Sequence, residues 1–291
     1  MTRCLLCGTQ HGSFDDVEHQ PVRGHARELA AQRFTVWRCA HCRSLHSVEP
    51  VDLDALYARY PLRTHQLDFV MRMSYRNRLA LLIRAGLRRD HRILDYGCGA
   101  GLFVQYLRSR GYEHADGYDR YIEAYRDDRV VRRGNDFVTA YDVIEHFEDP
   151  AACMRELRDA SVPDGRIVIG TPDGGRVELD RQEHYMVELS QPYHRHILSE
   201  SALTQLAANF HCQLIDVSHR FYVDTLVPFV NTRFAWAYLR KMGNHLDVVA
   251  DGLQLSHVVT SPRLLFLGLF GYFIPVRANL TATFQYTPPN L

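Results

Sequence analysis

Residues 92–103 have the pattern of a short buried strand that ends in a glycine-rich loop and leads into a helix. The loop contains Gly97, Gly99 and Gly101, and glycine accepts backbone torsions and close approaches that a side chain would forbid. The residues that follow have apolar side chains at helical spacing. A strand, a glycine loop and a helix in this order predict backbone N–H groups that face a polar ligand. We therefore expect a nucleotide-cofactor site.

The glycine spacing separates two classes of such sites. Leu102 occupies the position at which a dinucleotide-binding G-x-G-x-x-G loop has its third glycine. Asp95 lies just before the turn. An acid at that position favours a site in which the carboxylate bonds to the ligand or to loop amides, and disfavours a site that binds a pyrophosphate. A nicotinamide-dependent oxidoreductase is therefore the weaker alternative.

Three further segments follow the loop in a fixed order. Residues 115–119 form a short strand that ends in Asp119, about 20 residues after the loop, where an acid can accept ribose hydroxyls. Residues 137–150 form an apolar strand with an acidic extension that ends in Asp-Pro, and residues 163–172 form a turn and a strand that ends in Thr-Pro. Together the four segments resemble the class I S-adenosylmethionine-dependent methyltransferases, over roughly residues 79–214.

The resemblance implies S-adenosylmethionine as cofactor and an α/β fold with a Rossmann-like, doubly wound sheet of seven strands. One stretch departs from the family pattern, because residues 127–135 are short and arginine-rich, and the third strand and the adenine-contacting acid are not placed. Taken singly, each motif residue is also compatible with a tight turn or a helix cap. The residues implied for cofactor binding are Asp95, Gly97, Cys98, Gly99, Asp119 and Tyr141.

Two C-x-x-C pairs near the N-terminus indicate a different chemistry. Cys4, Cys7, Cys39 and Cys42 can supply the four thiolates of a closed, structural zinc site. His41 and His46 lie near enough in sequence to replace a thiolate. Two disulfides in a secreted protein are the alternative. We expect a reducing, cytoplasmic location, because no signal peptide precedes the first cysteine and the other three cysteines leave an odd count.

The balance of charge excludes some partners. The chain has 34 basic and 34 acidic residues, so its formal net charge is zero, and nucleic-acid binding is not expected.

Its longest apolar run, residues 264–276, is interrupted by Gly268, Gly271 and Pro275 and is shorter than the ~20 residues of a membrane span. We expect no transmembrane segment. Contact of this apolar run with a membrane surface is the less favoured hypothesis.

The sequence divides into four parts. We assign residues 1–60 to a zinc-binding module and linker, 61–220 to the methyltransferase core, 221–279 to an insertion, and 280–291 to the last core strand. Alternating strands and helices predict a parallel, doubly wound sheet. The aromatic-rich insertion suits a lid, a substrate pocket or a homodimer contact. The elements expected most clearly are a helix over 68–88, a helix over 200–209, and strands over 212–217 and 280–286.

The linker, residues 51–60, resembles that of a bacterial group with an N-terminal zinc module, which includes sugar methyltransferases of natural-product and polysaccharide pathways. This resemblance suggests that Tyr57 and Tyr60 close over the cofactor, although tyrosines at i and i+3 also serve as ordinary core residues.

An oxygen acceptor needs a base that removes its proton. His146 and His196 follow predicted strands at the edge of the sheet, where ligands bind, and Glu145 is adjacent to the first of them. Asp142 and Glu145 also resemble part of the acid-acid-histidine cluster of ubiquinone-biosynthesis O-methyltransferases, where a divalent metal can bind. We expect O-methylation of a small molecule in a bacterial natural-product or glycan pathway. Methylation of carbon or nitrogen and a non-catalytic cofactor-binding scaffold are the alternatives.

Overall fold

The computed structural model describes residues 2–58 and 67–289. The strands are β1 (Thr2–Arg3), β2 (Gln10–His11), β3 (His19–Arg23), β4 (Arg33–Arg38), β5 (Leu45–Ser47), β6 (Ile93–Tyr96), β7 (Ala115–Tyr118), β8 (Asn135–Tyr141), β9 (Ser161–Pro172), β10 (His196–Ile197), β11 (Cys212–Ser218) and β12 (Asn279–Tyr286). The α-helices are α1 (Leu53–Ala58), α2 (Phe69–Arg84), α3 (Leu102–Ser109), α4 (Asp128–Arg132), α5 (Pro150–Ala160), α6 (Met186–Leu189), α7 (Glu200–Ala208), α8 (Thr232–Lys241), α9 (Asp247–Asp251), α10 (Leu255–Val259) and α11 (Pro262–Phe270).

The central sheet has the strand order β11-β12-β9-β8-β6-β7. The four strands β7, β6, β8 and β9 are parallel, and β12 and β11 extend the sheet with antiparallel pairing. Successive residues of a strand face opposite sides of a sheet. Ile93, Phe137 and Val168 accordingly pack with the α2 and α3 layer, whereas Leu94 and Val138 pack with α5 and α7. This two-sided burial confirms the predicted α/β, doubly wound class.

The strand count differs from the prediction of seven, because the described residues contain six strands in this sheet. The sequence between β7 and β8 forms the short helix α4, which begins after Asp127 caps the N–H of Arg129. That stretch lacks the apolar alternation of a strand, and its arginines bind carboxylates instead. Arg133, for example, pairs with Asp116 at the edge strand β7. The family's third strand is therefore replaced by a polar connection.

Capping residues set the helix boundaries. Asp68 accepts a hydrogen bond from the N–H of Met71 at the start of α2. That helix ends at Arg84, before the predicted end at Arg88, because the chain turns at Gly86 with φ +95°. Helix α7 and strands β11 and β12 lie within one residue of their predicted bounds.

The N-terminal module contains the β1–β2 hairpin and an antiparallel sheet of order β10-β5-β4-β3. Strand β10 belongs to the core region of the sequence, and its His196 and Ile197 pair with His46 and Leu45 of β5. The predicted module of residues 1–60 is therefore completed by a strand from the methyltransferase region.

The insertion over residues 221–279 contains α8 to α11, which pack around Phe234, Trp236, Tyr238 and Leu264. Most of the apolar run noted in the sequence forms α11. Across residues 2–58 and 67–289, no helix has both the length and the apolar character needed to cross a membrane.

Arg38 joins the N-terminal module to the core. Its guanidinium is 2% exposed and donates to the carbonyl oxygens of Gly174 at 2.7 Å and Val177 at 2.5 Å. It also donates to the carboxylate of Glu18 and to the carbonyl of Arg43. One buried cation thus satisfies acceptors from both parts of the chain.

Substitution Arg38→Ala should lower the free energy of unfolding by on the order of 3 kcal/mol, because buried carbonyl oxygens would lose a charged donor. Urea unfolding followed by circular dichroism measures the change. Arg33→Ala is the control, since Arg33 is exposed and donates to the nearby carbonyls of Ala30 and Gln32, and it should change stability by less than about 0.5 kcal/mol. Equal stability of the two variants would contradict this role.

Candidate functional site

The candidate site lies at the carboxyl ends of β6, β7 and β8, where the strand order reverses. Ligands of open α/β sheets bind in the crevice at such a point. Strand β6 ends in Asp95 and Tyr96, β8 ends in Tyr141, and β7 is followed directly by Asp119. The fold therefore brings together residues from three separate sequence segments.

The loop after β6 is a tight glycine turn. Gly97, Gly99 and Gly101 have φ values of +74°, +53° and +69°. A Cβ atom on Gly97 would lie 2.4 Å from a methyl group of Val143, and one on Gly101 would lie 1.9 Å from the Tyr125 hydroxyl. Both positions therefore have torsions that favour glycine, and a side chain at either would have to displace its neighbour.

Two of the loop N–H groups bond to the neighbouring strand and do not face a ligand. The N–H groups of Gly97 and Cys98 donate to the carbonyl of Tyr118 at 2.7 and 3.0 Å. The Cys98 thiol packs on β7, since a Cβ at Gly117 would lie 2.6 Å from its sulfur. These contacts hold the loop against the end of β7.

Asp119 is fixed beside this loop. One carboxylate oxygen accepts from the N–H of Gly99 at 2.9 Å, and the other accepts from the N–H groups of Tyr121 and Ile122 at 2.8 and 3.1 Å. A carboxylate oxygen has more than one acceptor site, so these bonds orient the group and leave acceptor capacity.

Asp95 links the two central strands. It is 4% exposed and accepts a 2.8 Å hydrogen bond from the hydroxyl of Thr139 on β8. Burial raises the pKa of Asp95 to about 6, against the opposing effects of Arg78 and of the Thr139 hydroxyl.

Arg78 on α2 is a buried cation that the sequence reasoning did not identify. Its guanidinium carbon lies 4.0 Å from the ring centre of Tyr141 and 3.7 Å from that of Tyr222. A terminal guanidinium nitrogen of Arg78 lies 3.7 Å from a carboxylate oxygen of Asp142, and that oxygen accepts from the Tyr222 hydroxyl at 3.2 Å. The hydroxyl of Tyr141 is buried and has no hydrogen-bond partner among the described residues.

Helix α2 also positions the start of the insertion. The side-chain amide of Asn77 donates to the carbonyls of Tyr222 and Asp224 at 2.9 and 2.8 Å. The aromatic face over Arg78 therefore comes from a segment about 145 residues later in the chain. No local motif marks this pairing.

His146 follows β8 in a single turn of 3-10 helix. Its Nδ1 atom lies 2.6 Å from the hydroxyl of Tyr57 and 3.1 Å from the carbonyl of Tyr193. Tyr57 is stacked on Tyr121 with 4.4 Å between ring centres. Burial and the neighbouring His194 lower the pKa of His146 below 6.5. Tyr57 therefore contacts the candidate base, whereas Tyr60 lies outside the described residues.

Glu145, His146 and His194 form a cluster whose ligand atoms lie within 4.8 Å of one another. Glu145 is fully buried, and one carboxyl oxygen accepts from the Thr171 hydroxyl at 2.9 Å while the other has no partner among the described residues. Burial, together with Asp142, raises the pKa of Glu145 to about 8. His194 was missed by the sequence reasoning. Its Nδ1 contacts the carbonyl of Glu188 at 2.6 Å.

Asp142 and Glu145, which the sequence predicts as a possible metal pair, have different side-chain partners in the structure. Asp142 is directed to Arg78 and Tyr222, whereas Glu145 is directed to Thr171 and the two histidines. Glu145 lies instead with His146 and His194, in one of the described clusters whose ligand atoms are close enough together to hold a metal ion.

A family profile described as "Methyltransferase domain" matches residues 65–217, which is more than half of the sequence. The chain belongs to this methyltransferase family. The match confirms the identification of a class I S-adenosylmethionine-dependent methyltransferase made from the four motifs.

Two curated proteins are similar to parts of the methyltransferase. One is an uncharacterized 37.1 kDa protein in transposon TN4556 of Streptomyces fradiae, at 26% identity over 44% of this chain and 39% of that protein. The other is a ubiquinone biosynthesis O-methyltransferase of Neisseria meningitidis serogroup C, at 26% identity over 28% of this chain and 44% of that protein. The chain thus spans about two fifths of the length of these relatives.

Among solved structures, the methyltransferase is similar to the 1,6-didemethyltoxoflavin-N1-methyltransferase of Burkholderia thailandensis with bound 1,6-didemethyltoxoflavin and S-adenosylhomocysteine. The TM-score is 0.44 at 15% identity, over 92% of this chain and all of that chain.

The four N-terminal cysteines of the methyltransferase converge. The sulfur atoms of Cys4 and Cys42 are 3.6 Å apart, and those of Cys7 and Cys39 are 3.7 Å apart. All four lie within 4.8 Å of one another and none forms a disulfide. A tetrahedral zinc with Zn–S bonds of about 2.3 Å has sulfur–sulfur edges of about 3.8 Å, so these separations suit that metal.

His196 is not placed to serve as the catalytic base. It is 5% exposed, its Nδ1 lies 2.9 Å from Nδ1 of His46, and its Nε2 lies 3.1 Å from the carbonyl of Glu148. The Nε2 atom of His46 lies in turn 3.2 Å from the sulfur of Cys4. Both ring nitrogens of His196 are therefore engaged, and the residue supports the cysteine cluster.

Proposed function

We propose that the protein transfers a methyl group from S-adenosylmethionine to an oxygen atom of a small molecule in a bacterial natural-product or glycan pathway. The observation that carries this proposal is the glycine loop with Asp119 beside it, at the crevice of a methyltransferase-family sheet. The similarity to a ubiquinone biosynthesis O-methyltransferase favours oxygen over carbon or nitrogen.

The residues of the crevice fit this cofactor. Asp119 has acceptor capacity for ribose hydroxyls, and the Tyr141 hydroxyl is a buried group without a partner among the described residues. Arg78 offers a buried positive charge for a carboxylate. The bound cofactor would supply an electrophilic methyl group, and Asp95 and the glycine loop would orient it.

We assign the base to His146. A lowered pKa keeps its imidazole neutral at pH 7, the form that accepts a proton. Because Nδ1 is engaged by Tyr57 and Tyr193, we assign the proton transfer to Nε2. Glu145 is consistent with a neutral His146 imidazole at pH 7, since a carboxyl with a pKa of about 8 is mostly neutral there and does not stabilise an imidazolium. Tyr222, at the start of the insertion, supports a role of residues 221–279 in covering the acceptor.

Asp119→Ala should weaken binding of S-adenosylhomocysteine by about 10- to 100-fold, because buried hydrogen bonds to the ribose would be lost. Isothermal titration calorimetry on the full chain measures the affinity. Asp90→Ala is the control, since Asp90 is exposed and pairs with Arg88. Unchanged affinity would remove Asp119 from the site, and binding of NAD in place of S-adenosylhomocysteine would favour an oxidoreductase.

His146→Ala should lower turnover by about 10²–10⁴-fold while S-adenosylhomocysteine still binds. Release of S-adenosylhomocysteine with a panel of hydroxylated acceptors measures turnover, and the exposed His114→Ala is the matched control. Because the pKa of His146 is lowered, protonation of His146 should reduce wild-type turnover only below pH 6.5, as measured by the pH–rate profile. Near-wild-type turnover of the His146 variant would contradict a histidine base and would favour a carboxylate or amine acceptor.

We also propose that Cys4, Cys7, Cys39 and Cys42 hold one structural zinc ion. Four thiolates close the coordination sphere, so the metal would stabilise the fold and would not perform the chemistry. The two histidines near the cluster, His11 and His46, approach sulfur atoms at 3.3 and 3.2 Å and would act as supporting donors.

Protein purified without added zinc should contain about one zinc per chain, measured by inductively coupled plasma mass spectrometry. Cys39→Ser should lose most of the metal and lower the unfolding temperature, whereas Cys212→Ser, outside the cluster, should keep it. Metal-free wild-type protein with all thiols reduced would overturn the assignment.

A further inference from the structure

A cavity of about 340 Å³ lies between residues 176–185 and the insertion. We call it the arginine cavity, because its lining includes Arg176, Arg181, Arg233, Arg240 and Arg277. Trp236 lines one wall, and among the described residues the single lining carboxylate is that of Glu178. The whole protein has no net charge, so this concentration of positive charge is local.

Two of the five arginines have carboxylate partners. Arg181 pairs with Glu178 at 3.2 Å, and Arg176 pairs with Asp173 at 3.1 Å. Within the described residues, the other three form no ion pair. Arg233 donates through Nε to the carbonyl of Ile274, and this bond leaves its terminal N–H groups available.

The unpaired charges repel one another. Arg240 is partly buried on α8, and burial together with Arg263 and Arg233 lowers its pKa. The nearest compensating carboxyl, Glu188, lies behind the Trp236 wall, where one oxygen accepts from the indole N–H at 2.9 Å. Its burial raises the pKa of Glu188 to about 7, which limits the charge it can offer. An anion in the cavity would relieve this repulsion.

We propose that the arginine cavity binds a phosphate or diphosphate group. A carboxylate is satisfied by one bidentate arginine, whereas three unpaired guanidinium groups from two segments match the several oxygens of phosphoryl groups. A second cavity of about 720 Å³ shares Arg181, His184 and Arg240 with the first, which gives room for the remainder of the molecule.

Two sources of this group are compatible with the site. A soluble phosphorylated compound would use the two cavities. A lipid headgroup would also use the apolar surface nearby, where Phe273 is 68% exposed and Ile274 accepts the bond from Arg233. The recognised chemistry is the same, so the experiment separates the sources.

Inorganic pyrophosphate should bind the full-length protein saturably in isothermal titration calorimetry at 0.15 M salt. The double variant R240Q/R277Q should weaken this binding by about tenfold or more, because two charged donors are removed. Arg132→Gln removes the same type of charge from α4, outside the cavity lining, and should bind like the wild type. Thermal melting checks that each variant is folded.

Co-sedimentation with phosphatidylcholine vesicles, with and without phosphatidylglycerol, tests the lipid source. Binding to the anionic vesicles that is lost in R240Q/R277Q supports the phosphate site with a headgroup as its ligand. No binding of either probe, or equal pyrophosphate affinity of the double variant and the wild type, overturns the site. S-adenosylhomocysteine titrated into the same samples tests the proposed function separately, because none of the cofactor residues lines the arginine cavity.

Discussion

The crevice between β6 and β8 is the constraint on which the candidate site depends. These neighbouring strands pair in parallel with Asp95 opposite Thr139, and the hydroxyl of Thr139 bonds to the carboxyl of Asp95. Their connecting loops then diverge toward opposite faces of the sheet, so the space between them stays open. Gly97 contacts Val143 at the base of this space. The position of the other site residues therefore depends on three features together: the register of β6 and β8, the torsions of the glycine loop, and the packing of that loop on Val143.

The N-terminal module contributes to the same site through residues 193–197. The module pairs with His196 and Ile197 from one side. From the other side, the N–H of Arg195 donates to the carbonyl of Glu145 at 2.7 Å, and the Tyr193 carbonyl contacts His146. The segment that orients the candidate base is thus held between the module and the core. A structural metal in the module would stabilise this arrangement without contacting substrate.

Local sequence was sufficient to predict the parts of the site that depend on local chemistry. The glycine loop, Asp95 and Asp119 are identified by residue type and spacing, and the fold brings them together. Each C-x-x-C pair is also a local pattern. The prediction that the two pairs converge came from the ability of four thiolates to bind one metal ion, and the four cysteines lie together in the structure. The alternation of strands and helices predicted the doubly wound class, and the family resemblance implied seven strands where the described residues form six.

The remainder of the site depends on distant packing that no short pattern encodes. Arg78 lies on a helix before the first core strand, and its position near the crevice is set by Tyr222 from the insertion. His194 and His196 are separated by one residue, yet one faces the Glu145 cluster and the other faces the N-terminal module. Of the two, the sequence placed only His196 near the sheet edge, and it could not determine which side either imidazole faces.

Arginine chemistry explains much of how this chain tolerates charge inside its fold. All but one of its 34 basic residues are arginine. A planar guanidinium can bond several carbonyls at once or stack between rings, so it can be buried where a lysine ammonium would lack partners. Arg38 uses the first mode and Arg78 the second. At Arg240 and Arg277 the protein supplies neither carboxylate nor carbonyl partners among the described residues, and that difference separates a cation used to build the fold from one available to bind an anion.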